Sequence, residues 1–316
     1  MKIVLALLFT AGLFAAGPAG PVAGWTLDSR TGTVRAVTGL PGALRLADAV
    51  VLPFGVTAAE FTPSGNRALV LTASTPSRLV VLKALQSIAP EIADLGEVAD
   101  GTRLLATNAK GNAAIVYSAA QNELRFVSGL DREPVLSPPV STASLAGPIT
   151  ASILDDAGQC AVLGTGAVET LCADASSSRV LPDTSLNITA LVFANSNRDL
   201  VLADAAGRHI LRINGYSQAP AITTLASQSN GLVRPVALAI LASGQILVAD
   251  ADAQTIFTID AVTGLIVSTP LDIAPTQLRP LTDRTLLLLN DLGALSALPF
   301  TLFATEAMRT YFVPAN

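Results

Sequence analysis

Aspartates recur at one kind of place in this chain: Asp28 in GWTLDS, Asp204 in DLVLADA, Asp250 and Asp252 in QILVADADAQ, and Asp291 beside Asn290 in TLLLLND. Carboxylate and amide oxygens gathered on one rim are the ligand set of a hard cation, and Ca²⁺ takes roughly six to eight such oxygens. The same residues have a second use, because Asp and Asn stabilise hairpin turns by accepting hydrogen bonds from their own backbone. Both readings stand on the sequence, and Ca²⁺ is the one cofactor it leaves room for. Arg30, Arg78 and Arg208 share these loops and would neutralise part of such a rim. Arg103, Arg234 and Arg279 precede or begin other apolar segments and could approach the same face. The candidate binding set is therefore Asp28, Asp204, Asp250, Asp252, Asn290, Asp291, Arg103 and Arg234.

The remaining reactive side chains are few. With one His and two Cys, the chain offers little to assemble a nucleophile with its base or a His-rich metal site. HExxH, GxSxG, Walker and GxGxxG patterns are absent, as is the SxDxGxTW box of sialidases. His209 opens HILRIN at a place where other segments carry polar residues, which suits a solvated or locally hydrogen-bonded side chain, with a catalytic base as the alternative. Cys160 and Cys172 flank CAVLGTGAVETLC, a hairpin centred on Gly166. Pairing 164 with 168 would set the two cysteines opposite each other, within reach of a disulfide in an oxidising compartment, whereas a slip of one residue would send them apart.

Composition bounds the setting of these residues. The 316 residues are 51% hydrophobic and only 14% charged, with a net charge of −5 and no basic block, so capture of nucleic acid or of an anionic membrane has no electrostatic support. One Lys, an apolar run from Ile3 to Phe14 and the small residues AAGPAG form the layout of a signal peptide over residues 1–17. The run is short for a membrane span, an uncleaved anchor being the alternative. No Cys follows it for lipid attachment. The expected mature chain is one domain over 18–316, exported to the periplasm or the cell exterior, without a membrane span and monomeric.

The elements that must position the aspartates repeat along the whole chain. GWTLDS, RALVLTA, AAIVYSA, CAVLGTG, DLVLADA, QILVADA and TLLLLND align on Leu27, Leu71, Val116, Leu163, Leu202, Val248 and Leu288, spaced by 44, 45, 47, 39, 46 and 40 residues. Most follow an apolar segment and a turn such as FTPSGNR, LDDAGQ or LASGQ, a hairpin signal. An alternating third segment comes next (TVRAVTG, RLVVLKAL, ELRFVSG, ETLCADA, HILRING, TIFTIDA, ALSALPF), then variable Pro-rich or Ser-rich stretches with room for a fourth strand. KALQSIAPEIADL has helical spacing, interrupted by Pro90. A short meander cannot bury both faces alone, whereas packing each sheet on the next around an axis does. The pattern predicts an all-β chain: a seven-bladed β-propeller of four-stranded antiparallel sheets, six or eight blades being the alternatives if a weak unit is misread.

DLVLADAAGRHILRI and QILVADADAQTIFTI, each after a short polar turn, resemble the NHL and YVTN repeat class of β-propellers. GWTLDSRTGTVRAVTGLPG and RTYFVPA are also similar to uncharacterised exported bacterial propellers. The resemblance implies the fold and supplies no catalytic residue. The Trp-Asp signature of WD40 repeats is not met, and a single Trp, Trp25, argues against a quinoprotein propeller.

Three functions compete on these grounds. The chain could be a binding or interaction platform using its rim loops, a Ca²⁺-dependent hydrolase of the lactonase type at the channel mouth, or a structural envelope module. The hydrolase needs carboxylates from inner strands, where TAAEFTP, ITASILDD, ITALVFA and PVALAIL place Glu60 and little else. The repeats are out of phase at the two ends, which leads to a further expectation: Tyr311, Phe312 and Val313 close the ring as innermost strand of the first blade, antiparallel to Trp25, Thr26 and Leu27. The apolar N-terminal run carries its own test. N-terminal sequencing of the native exported protein is expected to begin between about residues 16 and 24; Met1 at the terminus would show that no peptide is removed.

Overall fold

Strands whose two faces are both apolar can be satisfied only between neighbours. The computed structural model describes residues 20–87, 89–181, 185–282, 285–290 and 300–314, and it arranges the strands as seven antiparallel sheets. The expected signal peptide lies outside the described residues. The seven aligned segments form Val22–Asp28, Arg67–Thr72, Ala113–Ser118, Cys160–Gly164, Asp199–Asp204, Ile246–Asp250 and Leu286–Leu288, one in each blade. In blades two to seven an inner strand precedes them: Val56–Phe61, Thr102–Thr107, Ala151–Leu154, Ile188–Ala194, Pro235–Ile240 and Arg279–Pro280. Five sheets have four strands. Blade three has five, because its outer edge is split into Val135–Leu136 and Val140–Ser141, both paired with the third strand.

Period-two alternation sends successive side chains to opposite interfaces. In blade two, Ala68 and Val70 pack on Trp25, Val34 and Ala36 of blade one, while Leu69 and Leu71 pack on Ala114, Val116 and Val127 of blade three. In blade five, Leu200 and Leu202 face Val162 and Val168 of blade four, whereas Val201 and Ala203 face Val248 and Phe257 of blade six. Further cores join blades three and four, six and seven, and seven and one, so apolar packing runs right round the ring.

The closure differs from the one expected. Arg309–Val313 pairs with Phe300–Ala304, with Tyr311 opposite Leu302, as the outer strand of blade seven. Among the described residues blade one is a three-stranded sheet led by Val22–Asp28, and no strand lies inside it. Blades seven and two instead reach across its inner edge. Thr282 donates its backbone N–H to Ala23 O (3.1 Å), and Leu281 lies so close over Gly24 that a Cβ there would be 2.8 Å from the Leu281 Cβ. At Gly65, in the first hairpin of blade two, a Cβ would meet the Thr282 hydroxyl at 2.5 Å. The Arg279 guanidinium stacks 5.3 Å from the centre of the Phe61 ring. Side chains and one backbone bond thus occupy the place that a terminal strand was expected to fill, and Val313 serves the core between blades seven and one from the outside.

Two further corrections follow from register. The third strand of blade seven is Phe300–Ala304, which sets Leu302 opposite Leu288; the expected ALSALPF falls mostly on residues outside the described set. Past Pro90, the end of KALQSIAPEIADL begins strand Glu91–Glu97, and a 3₁₀ turn at Gln228–Asn230 was not anticipated. In blade four Gly164 pairs with Val168 and Cys160 with Cys172, and the two sulfurs are bonded.

Leu281 is 5% exposed and belongs to the core that joins the last blade to the first. Leu281→Ala is expected to lower stability by about 2–5 kcal/mol, the range for a large-to-small core change. Leu40→Ala, at a residue 67% exposed, is expected to stay within about 0.5 kcal/mol. Denaturant titration of the two variants checks the seam, and equal midpoints would show that it does not hold the ring.

Candidate functional site

The rim aspartates follow the strands carrying the repeat, and their oxygens are already engaged. Asp250, fully buried, accepts from the backbone N–H groups of Val233 (2.8 Å), Arg234 (3.0 Å) and Ala253 (2.9 Å). Asp204 accepts from Asn187 N (3.0 Å) and stands opposite His209 in the strand register. In both blades the carboxylate therefore holds the chain that enters the inner strand, whose N–H groups would otherwise be buried unpaired. Blade four reaches the same end with Glu169 of its third strand, which accepts from Ala146 N (2.9 Å) and Thr165 Oγ1 (2.5 Å) and pairs with Arg179 (3.1 Å). Burial would raise the Glu169 carboxyl, but these partners outweigh it and hold it below the usual carboxylate range.

Asp28 has no such entering chain to hold among the described residues. It is 1% exposed and is taken up by Arg30, through Nε (3.0 Å) and the backbone N–H (3.2 Å), and by Arg35 (3.5 Å). Burial again acts to raise its carboxyl, and the two guanidinium groups with the Arg30 N–H bring it below the ordinary value. Asp252 and Arg234 pair with each other at 2.8 Å on the exposed surface. Asn290 Oδ1 accepts from Thr301 N (2.8 Å), and Asp291 lies outside the described residues. No three His, Cys, Asp or Glu side chains among the described residues gather closely enough to hold a metal ion. The geometry of the rim is that of turn and entry-loop chemistry.

The axis is more open. A cavity of about 440 Å³ is lined by the inner-strand segments of blades two to seven and by no described residue of blade one. Its charged residues are Glu60, Arg103 and Arg279; its polar ones include Thr107, Thr150, Ser152, Thr189, Thr276 and Gln277, set among Leu105, Ile149, Ile153, Leu191, Val236, Leu238 and Leu278. A second cavity of about 550 Å³ lies between blades two and three, lined by Thr57, Ser77, Thr102 and Arg103 among others. Arg103 is common to both walls.

One position organises the mouth of the axial cavity. Inner strands of blades two, five and six each begin with a register irregularity at Thr57, Thr189 and Val236, and such bulges re-aim a side chain. Thr150 and Thr276 hold the corresponding places in blades four and seven, their hydroxyls donating to Gly164 O and Leu289 O as those of Thr57 and Thr189 donate to Leu71 O and Ala203 O. In blade three the irregularity falls at Leu105, and Arg103, paired with Tyr117, begins the inner strand beside Thr102. Thr150 Oγ1 donates to Ile188 O (2.7 Å), and Thr189 Oγ1 to Pro235 O (2.8 Å), each reaching the next blade. Arg103 Nη2 makes the equivalent bond to Ile149 O (3.3 Å), its guanidinium stacked 5.4 Å from the centre of the Tyr117 ring. Of the residues flagged by sequence, Arg103 therefore reaches the channel and Arg234 does not. Thr57, Thr150, Thr189 and Thr276 were missed, although the recurring VTA, ITA and ITA openings of three inner strands were a visible signal.

No family model matches the chain, and no curated protein does. Solved structures do. A protein from Lactobacillus plantarum superposes with a TM-score of 0.65 at 13% identity, covering 93% of this chain and 94% of that one. A catalytically inactive histidine variant of virginiamycin B lyase from Staphylococcus aureus with quinupristin gives 0.60 at 11%, over 81% and 83%. Hydrazine synthase from Kuenenia stuttgartiensis gives 0.58 at 12%, over 98% and 99%. Likenesses at these identities are of fold alone, and with seven radially packed antiparallel sheets the chain is a seven-bladed β-propeller.

Proposed function

We propose that the chain is an exported binding propeller, which meets its ligand at the axial channel and holds it without transforming it. The observation that carries this reading is the axial cavity itself, of a volume usual for small-molecule sites and walled mainly by apolar side chains with a few convergent polar groups. Export rests on the N-terminal apolar run. The comparison with virginiamycin B lyase invites a lyase reading, but the single histidine here, His209, sits on the third strand of blade five, opposite Asp204, and is not among the residues lining the channel. The rim carboxylates favour no hydrolase, since the buried ones are engaged by backbone N–H and guanidinium groups.

Full-length mature protein incubated with a small-molecule extract of its native cells, washed and denatured, is expected to release a bound compound by mass spectrometry. The same compound added in excess is expected to raise the melting temperature and to be recovered unchanged. Its conversion to a product would replace binding with catalysis, and an extract that yields no stabilising compound would overturn the reading.

A further inference from the structure

At the channel mouth Thr57, Thr150, Thr189, Val236 and Thr276 hold equivalent places, and in blade three Arg103 makes the bond to the next blade that Thr150 and Thr189 make. Where a hydroxyl reaches the next blade, in Thr150 and Thr189, one hydrogen bond to an entering backbone carbonyl satisfies the structural need at this place. Val236 shows that even this bond can be dispensed with. Arg103 makes the same bond with one N–H of the five a guanidinium carries. The side chain is exposed, it forms no ion pair among the described residues, and it borders both the axial cavity and the cleft between blades two and three. Tyr117, 6% exposed beneath it, fixes the plane of the fork. Arg103 thus carries donors beyond what the ring requires, in a wall where Glu60 and Arg279 are the other charged residues and Leu105, Ile149, Ile153, Leu191, Leu238 and Leu278 supply apolar surface.

We propose that Arg103 is an anion-binding residue, which receives the carboxylate of a small organic acid whose apolar body lies in the axial channel. A planar guanidinium fork matches a carboxylate bidentately, and a pre-stacked fork loses less freedom on binding. The apolar walls select a carboxylate on a hydrocarbon body over a compact, strongly hydrated phosphate. The overall charge of −5 gives no long-range attraction, so the local donors must supply the recognition. This inference rests on the channel being the binding site and adds the chemical class of the ligand.

Arg103→Thr supplies the hydroxyl with which blades four and five reach the next blade, so it removes the cation while offering a structural donor. Calorimetric titration of the full mature chain with hexanoate, hexanamide and inorganic phosphate is the test, with melting curves to establish that the variant is folded. Hexanoate is expected to bind the wild type, to bind Arg103→Thr about tenfold or more weakly, and to outbind both hexanamide and phosphate. Arg103→Lys, which keeps the charge and loses the fork, is expected to fall between. Equal affinity of wild type and Arg103→Thr for hexanoate, hexanamide binding as tightly as hexanoate, or phosphate binding in place of the carboxylate would each overturn the assignment. So would a wild type that binds no carboxylate at millimolar concentration. A compound recovered from the cell extract whose affinity is unmoved by Arg103→Thr would sink this inference and leave the binding function intact, whereas an extract that yields nothing would sink both.

Discussion

Every blade of this protein has two apolar faces, and the need to cover both is the constraint from which the rest follows. A sheet such as Arg67–Lys83 with Val80 and Leu82 on one side and Leu79 and Val81 on the other cannot sit at the surface. Each interface supplies half the burial of two sheets, and a ring is the arrangement that leaves no face over. The sparse charge and the run of Val, Leu and Ile in every repeat are the compositional trace of this geometry. Closure is part of the same requirement. The core between blades seven and one is built from Val37, Leu44 and Leu46 against Leu286, Leu288, Leu302 and Val313, so the ring is sealed by packed faces where many would look for a shared strand.

Packing faces together creates a second problem, because the chain must pass from the outer edge of one blade to the inner edge of the next, and its backbone enters a crowded axis. Asp204, Asp250 and Glu169 answer it in three consecutive blades by accepting N–H groups from the entering segment. Thr150 and Thr189 answer the carbonyl side by donating to Ile188 and Pro235. Blade one, with no inner strand among the described residues, shows what happens when this partner is missing. Asp28 keeps its place in the repeat and takes Arg30 and Arg35 in its stead, which compensates a carboxylate that would otherwise be buried without a charge partner.

The repeat, the blade count and the register of the Cys160–Cys172 hairpin were legible because each rests on local alternation and spacing. Closure was not, since the out-of-phase ends are equally compatible with Tyr311–Val313 inside blade one or outside blade seven. The choice depends on Leu281, Thr282 and Gly65 meeting across the seam, contacts between residues more than two hundred positions apart. The third strand of blade seven was misplaced for a related reason: ALSALPF and FTLFA alternate equally well, and only pairing with Leu286–Leu288 distinguishes them. At the site, the aspartates stood out by type and recurrence, yet recurrence is also what a shared structural task produces. Arg103 was visible as a charge near an inner strand, but the bond to the next blade that it shares with Thr150 and Thr189 emerges only from the folded chain.

That contrast separates scaffold from site within a repeat protein. A residue that recurs with the period answers a problem every blade has, and the buried carboxylates, by their hydrogen bonds, are of this kind. A residue that breaks the period at an equivalent place answers a problem that one blade has. The mouth of the channel carries Thr in four blades, Val in a fifth and Arg103 in blade three, and its structural demand is at most one hydrogen bond to the next blade. Arg103 meets that demand with a fraction of its donors. That excess borders the axial cavity, at a level where the scaffold asks for almost nothing, and that is where a fold assembled from near-identical units has room to be particular.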